Sequence, residues 1–106
     1  MTMTTAARKA TMLVESRKLF MTRTVMDCAS TNSQFARDVF AGLKKWVCGD
    51  WGELGDEDKE ANSADIKSGW GHVLGKYDTC EGSIYINQEL AGDRSQAVVV
   101  LFPEEW

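Results

Sequence analysis

The chain has 106 residues, of which 43% are apolar and 26% charged. This length is typical of one ordinary domain, and this composition excludes wholesale disorder. Charge interrupts every apolar run long before the roughly 20 residues that a membrane helix needs, and the first residues lack the apolar segment of a secretory signal peptide. We therefore expect a cytoplasmic protein without a membrane partner, with residues 1–17 as a flexible tail and residues 18–106 as a single domain.

Charge is distributed unevenly along the chain. Residues 1–48 carry eight basic and three acidic side chains, a net charge of +5, whereas residues 49–106 carry four basic and thirteen acidic ones, a net charge of −9. Such an asymmetry can steer a charged partner. Because the isoelectric point of the whole sequence is about 4.9, we do not expect direct DNA binding.

The first predicted strand covers residues 18–25. Leu19, Phe20 and Met21 are followed by Thr22, Thr24 and Val25, and both groups have the composition of a β-strand.

A long amphipathic helix is predicted at residues 33–48. Thr31 and Gln34 have the spacing of a capping box, and Gly49 stands where a left-handed C-terminal cap is expected. Apolar side chains between them recur at helical intervals, as is typical of a helix that packs on a core. They are Phe35, Val39, Phe40, Leu43, Trp46 and Val47.

A second, shorter helix is predicted near residues 57–68. Asp56 is the expected N-cap, the acidic residues after it suit the positive end of the helix dipole, and Gly69 ends the helix.

From residue 70 onward the sequence consists of short β-prone runs separated by turn residues. The predicted strands are 70–77, 83–87 and 97–102, and residues 78–82 have the composition of a hairpin loop. The last run lacks polar alternation, which indicates a central strand. The predicted fold is therefore α+β, with an antiparallel sheet of about four strands and the helix at 33–48 packed across one face.

The candidates for catalysis or metal binding form no recognisable motif. His72 is the only histidine, and the three cysteines show no CxxC pair, so free thiols are expected rather than a disulfide framework. A zinc site from Cys28, Cys48, His72 and Cys80 would lack the short chelating pairs of known sites. We predict no catalytic residues, no metal and no cofactor.

The candidate binding residues lie in and after the connection that follows the long helix. The carboxylates there do not match the register of a calcium loop, and helix capping on a solvated face explains most of them. Trp51 is flanked by glycines, so its ring either packs back on the helix, which we favour, or stands out as an anchor for a partner. Trp70 carries the same ambiguity. The candidate binding residues are Asp50, Trp51, Glu53, Asp56, Glu57, Asp58 and Trp70.

Several short motifs recur in a specific linear order. They are Met21-Thr-Arg23, Gly49-Asp-Trp-Gly52, Glu57-Asp-Lys59 with Asn62, Asp93-Arg-Ser95 and Val99-Val-Leu-Phe-Pro-Glu-Glu-Trp106. With these motifs, residues 21–106 resemble a small bacterial protein family found on plasmids and integrated conjugative elements. The family pattern ends in a tyrosine where this chain has Trp106, and it includes neither the cysteines nor His72. The resemblance implies a small cytoplasmic protein of a mobile element that acts on another protein.

Three functions remain open at this point. The first is a non-catalytic accessory protein that binds a protein or nucleoprotein target and inhibits a host defence system such as CRISPR or restriction. The second is a small metal- or thiol-dependent hydrolase that uses His72 with Asp50 or Cys80. The third is a structural or regulatory module of a conjugation apparatus, with an oligomeric state that the sequence does not indicate.

Overall fold

The structure is a computed structural model that describes residues 18–106, so the predicted tail at residues 1–17 lies outside the described part of the chain. The described elements are four strands, three α-helices and one short 3₁₀ turn. They are β1 (Leu19–Met21), α1 (Arg23–Thr31), α2 (Ser33–Val47), α3 (Asp56–Ser68), β2 (Trp70–Thr79), β3 (Gly82–Ala91), β4 (Val98–Leu101) and the 3₁₀ turn Pro103–Glu105.

The fold is α+β, as predicted, with a four-stranded sheet in the order β1-β4-β3-β2. β2, β3 and β4 form the predicted antiparallel meander. β1, however, runs parallel to β4, so the sheet is mixed and the prediction of an antiparallel sheet is wrong. Only strands joined by a short hairpin are obliged to be antiparallel. β1 leads into helices instead, and it pairs with a strand that lies about eighty residues later in the chain.

The predicted first strand is also too long. The chain leaves the sheet at Thr22, whose hydroxyl accepts a hydrogen bond from the Val25 amide (3.3 Å) and caps α1. Val25 is fully buried on the inner side of this helix. The cap and the burial together outweigh the strand preference of these β-branched residues, which is a weak, context-dependent effect.

Helix α2 confirms the predicted helix, but its N-cap differs. Asn32 is the cap, because its side-chain oxygen accepts from the Phe35 amide (3.1 Å); Thr31 is the last residue of α1. The C-terminal end is as expected, since Gly49 has a positive φ of 80°. The amides of Gly49 and Asp50 bond back to α2 carbonyls at 3.1 and 2.9 Å, which is the hydrogen-bonding pattern of a Schellman cap.

Helix α3 agrees with the helix predicted near residues 57–68 and is shorter than α2, but its N-cap is Gly55 rather than the expected Asp56. It has 13 residues against 15 for α2, it begins at Asp56 after the N-cap Gly55, and it ends at Gly69 in the left-handed conformation. With α1, the described chain has three helices rather than one long and one short. None of the three is long and apolar enough to cross a membrane.

Helices α1 and α2 contribute apolar side chains to a core that lies on one face of the sheet. Alternation along the strands directs one set of residues towards these helices and the other set towards the opposite face. The fully buried large side chains are Val25, Phe35, Val39, Trp46, Val73, Ile84, Ile86, Gln88, Val98 and Val100.

Candidate functional site

The three acidic residues predicted for the second helix lie in the first turn of α3. Asp56, Glu57 and Asp58 are all exposed. Carboxylates at this position interact favourably with the helix dipole, so part of their role is to stabilise the helix. Their charges nevertheless face solvent and can meet a partner.

The loop before α3 is fixed to β2 and carries two more predicted acidic residues. The Asp50 side chain accepts a hydrogen bond from the Gly52 amide (2.9 Å), and its main-chain carbonyl accepts one from the Tyr77 hydroxyl (2.8 Å). The Glu53 amide donates to the Lys76 carbonyl (2.7 Å). The exposed carboxylates of Asp50 and Glu53 are therefore presented by an anchored loop.

Trp51 is a core residue. It is 9% exposed, and its ring meets that of Trp46 edge-on, with centroids 6.4 Å apart. Its carbonyl accepts from the Lys76 amide (3.1 Å), which also fixes the loop to β2. Of the two alternatives for this ring, the structure shows packing on the helix.

Trp70 has the opposite environment. It is the first residue of β2 and is 64% exposed. In the alternation of β2 it shares a face with His72, Leu74 and Lys76, while Val73 points towards the helices. Trp70 thus lies on the sheet face opposite α1 and α2, which we call the open sheet face.

The register of the strands defines the rest of the open sheet face. Three of its aromatic residues are more than half exposed: Phe20 (57%), Trp70 (64%) and Trp106 (57%). The solvent face of a sheet covered on one side is normally polar, so three exposed rings on this face are unusual. The strand residues on the face are Phe20, Trp70, His72, Leu74, Lys76, Asp78, Ser83, Tyr85, Asn87, Glu89, Ala91, Val99 and Leu101.

Trp106 joins this face through two ring contacts. Its indole meets the rings of His72 and Tyr85 edge-on, with centroids 5.7 and 5.6 Å away. In the register, the pair Leu74 and Asn87 lies between those two residues on the same face. The indole therefore lies over Leu74 and Asn87.

Asn87 carries an unsatisfied polar atom beneath this ring. The residue is 8% exposed; its side-chain nitrogen donates to a carboxylate oxygen of Glu89 (3.1 Å), and its Oδ1 has no hydrogen-bond partner in the structure. The neighbouring carboxylate fixes the amide orientation, because an ionised carboxylate only accepts. A buried acceptor without a donor lowers the stability of the fold by about 1–3 kcal/mol.

The residues of the hydrolase hypothesis are not brought together. His72 is on the open sheet face, whereas Asp50 bonds to Tyr77, which points to the helix-covered face. Cys80 lies in the β2–β3 turn, eight residues beyond His72 and thus roughly 25 Å away along an extended strand.

The thiols of Cys28 and Cys80 have raised pKa values. Burial, together with the charge of Glu81, raises the pKa of Cys28. Burial, together with the carboxylate of Asp38, raises the pKa of Cys80. Asp38 in turn accepts a hydrogen bond from the Cys80 amide (2.8 Å), which with the Gln34 side chain lowers the pKa of the Asp38 carboxyl.

The described residues contain no group of three or more histidine, cysteine or carboxylate side chains that could hold a metal ion. Cys28, Cys48, His72 and Cys80, the zinc set that the sequence disfavoured, are thus not brought together in residues 18–106.

An apolar groove of about 230 Å³ lies between β1 and α2. Phe40, one of its lining residues, is 64% exposed although it belongs to the predicted apolar face of the helix. The helical pattern alone did not indicate that this side chain would be left outside the core.

Sequence reasoning missed the central residues of the open sheet face. Tyr85 and Asn87 alternate within a predicted strand, and that alternation was the available signal that they share a face. Their proximity to His72 and Trp106 depends on the strand register and on the turn at Pro103–Glu105, for which the sequence has no local signal.

Comparisons with protein-family models, with curated proteins and with solved structures found no match. The resemblance to a family found on plasmids and conjugative elements therefore stays a prediction.

Proposed function

We propose that this chain is a non-catalytic accessory protein of a bacterial mobile genetic element, and that it binds a basic protein or nucleoprotein target, such as a component of a host defence system. The observation that carries the proposal is the open sheet face, where Phe20, Trp70 and Trp106 are each more than half exposed. The mobile-element part of the proposal is supported by the sequence motifs.

Exposed aromatic rings grouped on one face favour binding over a purely structural role. Apolar surface in contact with water is unfavourable, so a partner that covers these large rings gains free energy. Tryptophan is enriched among the residues that dominate binding energies, because one ring supplies a large contact area at little entropic cost. Trp70 is suited to such a contact, since its ring is exposed at the start of a long paired strand.

The negative charge of residues 49–106 favours a basic target. Residues 49–106 have a net charge of −9, and exposed carboxylates follow one another along the anchored loop and the first turn of α3. Complementary charge increases the rate of encounter and disfavours acidic partners. Protein surfaces that bind nucleic acid are basic, so a nucleic-acid-binding protein is a suitable target for these carboxylates.

The experiment compares retention of host proteins on the full-length chain and on two variants. We expect at least one basic protein to be retained at low salt, to be released as salt is raised, and to be retained much less by Asp56→Lys/Glu57→Lys/Asp58→Lys and by Trp70→Ser. Ser63→Ala, an exposed position on the outer side of α3, is the control and should retain the same protein.

The captured protein is then produced in pure form and its affinity for each variant is measured, with and without nuclease treatment of the preparation. Loss of binding after nuclease would identify a nucleoprotein target. The proposal is wrong if the full-length chain retains no protein, or if every retained protein binds both variants as well as it binds the unchanged chain.

A further inference from the structure

We propose that the outer edge of β1 and the apolar groove between β1 and α2 form a second binding site, which takes an extended, acidic segment of a partner protein as an added strand. We call this site the β1 groove. It lies at the opposite edge of the sheet from β2. The site is separate from the open sheet face and does not rest on the proposed function.

The two outer edges of the sheet differ. At the β2 edge, the main chains of His72, Leu74 and Lys76 all hydrogen-bond to α3 or to the loop before it, at donor–acceptor distances from 2.6 to 3.1 Å. These contacts occupy the groups with which a further strand would pair. The β2 edge is thus closed to strand addition.

The outer edge of β1 has no such cover in the described part of the chain. The Lys18 carbonyl and the Thr22 amide both hydrogen-bond to β4, at 2.9 and 3.0 Å. Because alternate residues of a strand direct their main-chain groups to the same side, those of Leu19 and Met21 point away from β4. β1 is the last strand of the sheet among residues 18–106, so an added strand would pair with these groups.

The groove beside this edge is suited to an apolar side chain. Its volume is about 230 Å³, which is below the range of roughly 300–1,000 Å³ that is typical of small-molecule pockets. Its lining is apolar apart from Lys44, and two of the lining residues, Leu19 and Phe40, are 47% and 64% exposed. In an added strand, every second side chain lies on the face of Leu19 and therefore over the groove, where it removes apolar surface from water.

The charge around the groove favours an acidic segment. Lys44 lines the groove, and Arg37, Phe40 and Lys44 follow one another at helical spacing on the same side of α2. Both cations are on exposed residues. Asp38, the acidic residue of α2, is directed elsewhere, since its carboxylate accepts a hydrogen bond from the Cys80 amide (2.8 Å). Acidic side chains on either side of the apolar one are therefore attracted to this helix.

The same charges disfavour the two other occupants that this edge could take. Residues 1–48 have a net charge of +5, so a second copy that paired through β1 would bring two basic halves together. Residues 1–17 carry three basic side chains and one acidic one, a net charge of +2, and are repelled in the same way. An acidic partner segment is attracted instead. Main-chain pairing would supply its affinity, and the groove would select its side chain.

The test uses the full-length chain and short synthetic peptides. The acidic peptide is Thr-Glu-Thr-Leu-Thr-Glu-Thr, blocked at both ends, and its two controls carry lysine in place of glutamate or a fully N-methylated main chain. Amide resonances of the protein are followed by NMR during titration. We expect the acidic peptide to shift the amides of Leu19 and Met21, with an affinity on the order of 0.1 mM. Each control should bind at least fivefold more weakly, because it loses the charge attraction or the donors of the added strand.

Variants of the chain locate the site. Phe40→Ser and Lys44→Glu change exposed residues, so the fold should be kept while the affinity for the acidic peptide falls at least fivefold and at least threefold, respectively. Lys44→Glu should also bind the lysine peptide more tightly than the unchanged chain does. Lys67→Glu, the same charge change at an exposed position of α3, is the control and should leave both affinities unchanged.

The β1 groove is not a peptide site if the acidic peptide leaves the amides of Leu19 and Met21 unshifted, or if either control peptide binds equally well. Equal weakening by Lys67→Glu and Lys44→Glu would exclude a local charge effect and would overturn the proposal too. Trp70→Ser should not alter peptide binding, so failure of this site and failure of the proposed function are distinguishable.

Two further results would assign the groove to another occupant and overturn the proposal. A dimer in solution that Phe40→Ser dissociates would identify a second copy of the chain. Peptide binding that occurs only with the variant Leu13→Ser/Val14→Ser would identify residues 1–17 of the same chain.

Discussion

Asn62 in α3 hydrogen-bonds in both directions with the main chain of Leu74 in β2. Its side-chain nitrogen donates to the Leu74 carbonyl (2.6 Å), and its side-chain oxygen accepts from the Leu74 amide (3.1 Å). Asn62 is 2% exposed. Its amide thus occupies the place that a neighbouring strand would take, and it covers part of the outer edge of the sheet, where unpaired main-chain groups invite aggregation.

Asn62→Ala should destabilise the fold by about 2–4 kcal/mol, because it leaves a donor and an acceptor unpaired at a covered strand edge. Urea denaturation followed by far-UV circular dichroism measures this change. The adjacent exposed position supplies the control, since Ser63→Ala should alter the stability by no more than about 0.5 kcal/mol. Equal effects of the two substitutions would contradict the structural role of Asn62.

Gly52→Ala should destabilise the fold by about 3 kcal/mol or more. Gly52 has a φ of +67°, and a Cβ at this position would overlap the Lys76 carbonyl oxygen and the Tyr77 ring. The substitution therefore combines an unfavourable backbone conformation with overpacking. The measurement is the midpoint of thermal unfolding, and the expected result is a large decrease.

Gly55→Ala is the matched control for that prediction. Gly55 has a φ of −68°, and a Cβ there would have no neighbour within 4 Å. We expect a loss of about 1 kcal/mol at most, since alanine is a poorer N-cap than glycine but adopts this φ without strain. The interpretation of Gly52 is wrong if both variants unfold at the same temperature.

The thiols of Cys28 and Cys80 should react slowly at neutral pH. Both pKa values are raised, so the fraction of reactive thiolate is lower than in an unfolded chain and increases only at more alkaline pH. Alkylation by iodoacetamide, with the modified sites assigned by mass spectrometry, should be slower in the folded protein than in urea. Asp38→Asn removes a charge that raises the pKa of Cys80 and should accelerate Cys80 more than Cys28.

Rapid alkylation of Cys80 in the folded protein would contradict the raised pKa of its thiol. It would require a lowered thiol pKa, which is the signature of an activated nucleophile, and it would support the thiol-dependent hydrolase.

The predictable parts of the fold were those with a local, repeated signal. The apolar spacing of α2 and the positive φ of Gly49 and Gly69 follow from the residues at those positions. The unbroken apolar run of β4 likewise predicted a central strand, and β4 lies between β1 and β3.

The parts that were missed depend on contacts between distant residues. Thr22 and Val25 have strand-like composition, but a cap and burial place them in the entry to α1. The parallel direction of β1 is set by its partner in β4. The position of Trp106 has the same character, because its ring meets His72 and Tyr85 together only once the register of β2 and β3 has formed.

The pairing of β1 with β4 has a consequence for biosynthesis. Leu19 aligns with Val98, so β1 and the helices that follow it are made long before the strand that holds β1 in the sheet. Closing so long a loop is slow and entropically costly. During translation Val25 and Phe35, which are fully buried in the folded protein, stay exposed until β4 and Phe102 have emerged. The protein therefore depends on β4 to cover these apolar side chains before they associate with other chains.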